Sequence, residues 1–214
     1  MSTAAQPRLD RARLVRRGTR LNVLTISYNV IEAAASLAAG LVAGSVALVG
    51  FGIDSGIEVT AGAAALLRLR ADRDPHRREQ SERRTLRLVG VLFLLLAAYV
   101  AVDSLVALST REAPQRSPVG VVILALSVLI MPVLSRLKKN VAVAMGSGAL
   151  VAEATQTSLC AWLSAIALVG VGLNALLGWW WADPAAALAM VPIIAREGVE
   201  GVRGRSDCQD CSSG

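Results

Sequence analysis

The chain has 214 residues, of which 54% are hydrophobic and only 18% charged, and its mean hydropathy is +0.54. That is more apolar material than a soluble domain of this size can bury, so the composition points to a lipid solvent. A formal charge of +6 would suit nucleic acid, but the arginines stand between apolar segments with no aromatic-basic face beside them, which argues against that partner.

A membrane span needs about 20 mostly apolar residues. Six windows qualify: Leu21 to Ala43, Ser45 to Leu67, Leu88 to Thr110, Val119 to Ser135, Gly148 to Leu176 and Pro184 to Ala195, the last short and the fifth long. The first follows a basic stretch, as a signal peptide would, but it is too long for a signal core and leads into the second within a few residues. The expected fold is all-α, a polytopic bundle of six transmembrane helices over residues 21–196, preceded by a basic segment (1–20) and followed by a short tail (197–214). No repeat and no second folded domain is visible.

Basic residues collect on the cytoplasmic side of membrane proteins. Six arginines precede the first window, eight lie from Arg68 to Arg87, three basic residues lie from Arg136 to Lys139 and three follow the last window, against only Arg111 and Arg116 on the other face. Both termini are therefore expected in the cytoplasm, with the chain multi-pass in the cell's cytoplasmic (inner) membrane. Trp179, Trp180 and Trp181 then fall at the outer boundary, where indole rings favour the headgroup region. The stretch from Arg70 to Arg87 mixes acids and arginines and reads as a solvated connector; His76, the only histidine, belongs to it.

The spans carry polar residues that lipid does not tolerate as filler, since each central Asp costs ~2.5 to 3.5 kcal/mol on insertion. Span one has Asn29, Glu32 and Ser36 on one helical face. Span two has Asp54 and Glu58, one turn apart, among small residues (Gly50, Gly52, Gly56, Gly62) that permit close helix packing. Asp103 sits near the outer end of span three. Span five has a stripe of Glu153, Gln156, Thr157, Cys160 and Ser164. No window contains an internal Lys, Arg or His, so the buried carboxylates are expected to be neutralised by protons or a bound cation. Asp54 and Glu58 lie at a depth comparable with Gln156 and Cys160, and four such groups from two helices suit zinc or a similar borderline metal. The amide and hydroxyl groups serve equally well as helix-joining hydrogen-bond partners, and Cys160 as a small apolar residue. Cys208 and Cys211 form a C-x-x-C in the tail, a weak metal motif because a structural zinc site generally needs four ligands.

In the stretches Tyr28-Asn29-Val30-Ile31-Glu32, Gly44 through Glu58 (GSVALVGFGIDSGIE), Ala152-Glu153 to Cys160 and Ala182-Asp183-Pro184, the chain resembles the cation diffusion facilitator family. The likeness covers essentially the whole membrane region. It implies a tetrahedral transport site built from two residues on span two and two on span five, in a dimeric, proton-coupled exporter. Asp54 and Glu58 match the span-two pair, whereas Gln156 and Cys160 fall where the family commonly has His and Asp. The expected branch is the short six-span one, without the cytoplasmic metal-binding domain. The resemblance thus implies export of a divalent metal, zinc above others, by proton antiport in a homodimer. The alternative is a membrane metal-binding or assembly protein that holds an ion without carrying it. No cofactor is expected beyond the cation itself, and no nucleophile–base pair or phosphate loop speaks for an enzyme.

Overall fold

A computed structural model describes residues 5–70, 75–145 and 148–203. Among these the chain forms six helices: α1 (Ala5–Ala43), α2 (Val46–Arg70), α3 (Pro75–Thr110), α4 (Pro118–Met145), α5 (Gly148–Leu177) and α6 (Ala182–Arg203). Five contain a segment long and apolar enough to cross a membrane; α6 does not meet that measure, because its apolar run ends at Arg196. It packs on α3, α5 and α2. Large apolar side chains such as Ile31, Leu95, Leu129, Trp162 and Leu176 point outward, whereas acids and hydroxyls lie inside. That inverted surface is what a lipid-facing bundle requires.

The turns are capped by their own sequence. Gly44 takes the left-handed conformation, φ 66°, and turns the chain into α2, where the Ser45 hydroxyl accepts from the Leu48 amide at 3.1 Å. Ser117 does the same for α4, accepting from Gly120 N at 3.1 Å, with Pro118 at the first helical position, where a missing N–H costs nothing. Gly178, φ 70°, closes α5. Trp179 and Trp181 stack beyond it, centroids 5.4 Å apart, and both are exposed, as the boundary reading expects and a core position would not allow.

α2 is the central helix. It meets α1, α3, α5 and α6, and 67% of its apolar window is buried, against 28% to 39% for the other four. Small residues bring the backbones together: a Cβ on Gly52 would lie 2.9 Å from the Leu37 backbone nitrogen of α1. Of the four glycines read from span two as packing devices, Gly56 departs, with open space around it. The same device joins α3 to α6, where Gly90 faces Gly201.

Several helix ends differ from those expected: α1 starts at Ala5, within the segment read as preceding the first span, and α6 runs on past Ala195 to Arg203. Most of the Arg70 to Arg87 connector is helical, since α3 starts at Pro75. α4 runs on past Ser135 to Met145, and this carries Lys138 into the interior, 6% exposed, while its neighbours Arg136 and Lys139 stay outside. A hydropathy window stops at the first charge, but the helix does not.

A Cβ on Gly90 would meet backbone atoms, Val202 N at 2.5 Å and Gly201 C at 2.7 Å, which cannot swing aside. Gly90→Ala is expected to cost about 1 to 3 kcal/mol as overpacking and to lower the thermal midpoint of the detergent-solubilised protein. Gly56→Ala, with nothing to strike, is expected to leave the midpoint unchanged or slightly raised.

Candidate cation site

Asp54 and Glu58 stand on α2, both buried at 3% and 4% exposure. The start of that helix is pinned from the far end of the chain. Asp183, in the first turn of α6, accepts from the Ser45 hydroxyl at 2.6 Å and from the Val46 amide at 3.0 Å, a charge-assisted pair at a helix N-terminus. The depth of the two acids is thereby tied to α6.

The four residues singled out on spans two and five come together. Asp54, Glu58, Gln156 and Cys160 line one small cavity between α2, α3, α5 and α6, closed on its apolar sides by Phe93, Leu159, Leu163, Ile193 and Ile194. It holds about 10 Å³, room on the order of one water or one ion. The Cys160 thiol adjoins both carboxyl groups. The cavity has a further acidic residue that the sequence reading missed, Glu197 of α6. It lies just past the window that ended at Ala195, and only the helical continuation of α6 brings it inward. Asp54, Glu58 and Glu197 together make the lining of the cavity acidic.

The remaining candidates lie elsewhere. Glu32 of α1 is buried, accepts from Ser55 Oγ at 3.0 Å and does not line the cavity; Asn29 is buried with both amide atoms unpartnered. Asp103 accepts from the Tyr99 hydroxyl at 3.2 Å near the C-terminal end of α3. Cys208 and Cys211 lie outside the described residues.

The expectation that no side-chain cation reaches the buried acids is corrected here. Lys138 Nζ lies 2.8 Å from Glu153 Oε1, both groups buried. The stripe on α5 accordingly splits. Glu153 and Ser164 face α4 and serve as joints, with Ser164 bonded to Ser127 at 2.9 Å; Thr157 lies between Lys138 of α4 and Glu58 of α2, whereas Gln156 and Cys160 face the cavity. Glu153 is thus matched by a cation of the protein, and neither Asp54 nor Glu58 has such an ion pair among the described residues.

Two carboxylates, a thiol, an amide and the Glu197 carboxylate form a donor set suited to a divalent, borderline cation. Among the described residues no group of three His, Cys, Asp or Glu side chains stands in ion-holding geometry.

The cation efflux transmembrane domain, as a family, matches residues 23–203. No curated protein matches the chain.

Because Glu197 completes the acidic wall, Glu197→Gln is expected to weaken divalent-cation binding about tenfold, the scale of a lost charged contact, while the purified protein stays monodisperse. Zinc titration of the detergent-solubilised protein measures it, and unchanged affinity would remove Glu197 from the site.

Proposed function

Because the chain belongs to the cation efflux family, a multi-pass membrane family that moves metal cations, we propose that it exports a divalent cation of zinc-like character by exchange for protons. The observation that carries this reading is the convergence of Asp54, Glu58, Gln156 and Cys160 on one small cavity. Asp54 and Glu58 supply the charge that draws the cation, Cys160 supplies a soft ligand as a thiolate, and Gln156 supplies a neutral oxygen. The thiol favours zinc or cadmium over manganese or magnesium, which prefer oxygen.

Proton exchange follows from the charge balance inside the bilayer. When the cation leaves, Asp54, Glu58 and the Cys160 thiolate stay behind in an apolar bundle, and isolated buried anions are far too costly to persist, so each takes up a proton. Lys138 is engaged with Glu153, so protons are the natural replacement and the same carboxyl groups serve both ions. The arginine distribution favours both termini in the cytoplasm and the cytoplasmic membrane as the location. A homodimer is the assembly that accompanies this reading.

Flux into proteoliposomes under an imposed pH gradient tests it. Zinc uptake is expected to be driven by the gradient in the wild type, and to fall to background in Asp54→Ala and Glu58→Ala while both still insert. Zinc bound but not transported would favour a metal-holding membrane protein, and undiminished flux in both variants would remove these acids from the path.

A further inference from the structure

Lys138 is a buried basic side chain, and it does not line the cavity. Its ammonium donates to Glu153 Oε1 at 2.8 Å and to Thr157 Oγ1 at 3.2 Å. An ammonium has donors and no acceptor, so Thr157 receives that bond and must send its single hydroxyl hydrogen elsewhere. Two acceptors are in reach, Glu58 Oε1 at 2.7 Å and the Glu153 carbonyl at 3.2 Å. The shorter bond ends on a carboxylate and is the stronger. The other Glu58 oxygen, Oε2, is buried without a hydrogen-bond partner.

We propose that Lys138 and Thr157 form a positioning relay for the cation site: the lysine fixes the threonine hydroxyl as a donor, the threonine engages one Glu58 oxygen, and Glu58 meets the cation with Oε2 alone. This rests on the reading of Glu58 as a cation ligand. Neither relay residue touches the cation. Their effect is to hold Glu58 as a one-oxygen ligand, which suits a four-coordinate ion such as zinc and disfavours oxygen-preferring, higher-coordinate ions such as manganese. Without the Thr157 hydrogen bond the carboxylate is free to rotate and offer both oxygens.

The relay makes the selectivity of the site depend on residues outside it, and this separates it from a structural joint. A joint that loosened the bundle would weaken all cations together. Loss of the relay is expected to weaken zinc and spare or improve manganese.

Zinc and manganese titrations of the purified full-length chain in detergent test this. Thr157→Val is expected to lower the zinc-to-manganese affinity ratio on the order of tenfold, the scale of one hydrogen bond to a charged group, and Thr157→Ser, which keeps the hydroxyl, is expected to retain the wild-type ratio. Lys138→Met is made together with Glu153→Gln, so that no buried carboxylate is left unpaired, and is expected to lower the ratio in the same direction. Adding Thr157→Val to that pair is expected to lower it no further, since both changes break one chain. If the paired variant does not fold, the Thr157→Val against Thr157→Ser comparison decides. An unchanged ratio in Thr157→Val, or an equal loss for both cations, overturns the relay and leaves the site reading in place. Zinc affinity untouched in Glu58→Ala overturns the site reading, and the relay with it.

Discussion

Two carboxylates one turn apart on the most buried helix of an apolar bundle need a positive charge at all times. An unpaired carboxylate in lipid-like surroundings is costly enough to dominate the behaviour of the protein. The arrangement around Asp54 and Glu58 answers that need with a cavity for an exchangeable ion. The neighbouring charges acting on Asp54 are acidic, which strengthens the pull on a cation and makes a fixed internal neutralisation less available.

The other buried acids are handled differently, and the contrast is informative. Glu153 is paired with the Lys138 ammonium, and Asp183 accepts hydrogen bonds from the hydroxyl and amide at the head of α2. Both are satisfied by the protein and act as joints, one between α4 and α5, the other between α6 and α2. Glu58 stands between the two regimes, with one oxygen held by Thr157 and the other unpartnered. The bundle therefore fixes the frame of the cavity with partnered acids such as Glu153 and Asp183, and Asp54 and Glu58 face into it.

Much of this was legible in the sequence, because lipid imposes a simple grammar of long apolar windows with rare charges inside them. The helices, their order and the meeting of Asp54, Glu58, Gln156 and Cys160 follow from window length and helical spacing. The ends of the helices do not. Lys138 and Glu197 both stand a few residues past an apolar window, behind Arg136 and Arg196, and hydropathy treats all four alike. Only the helical face separates Lys138, which turns inward, from Lys139, which does not. A long aliphatic stem makes such a lysine tolerable at the edge of the apolar region, and a partner on another helix, invisible to any local pattern, makes it buried. The bond from Asp183 to α2 spans 137 residues and had no local signal beyond an acid at a helix start.

The central claim is that the cavity takes a divalent cation directly onto Asp54, Glu58 and Cys160. X-ray absorption at the zinc edge of the zinc-loaded protein, with the tail cysteines Cys208 and Cys211 replaced by serine, tests it most directly. The account predicts a four-coordinate shell with a single sulfur at about 2.3 Å and lighter ligands at about 2.0 to 2.2 Å, the sulfur being lost in Cys160→Ser. A six-coordinate, all-oxygen shell that is the same with and without Cys160 would contradict it.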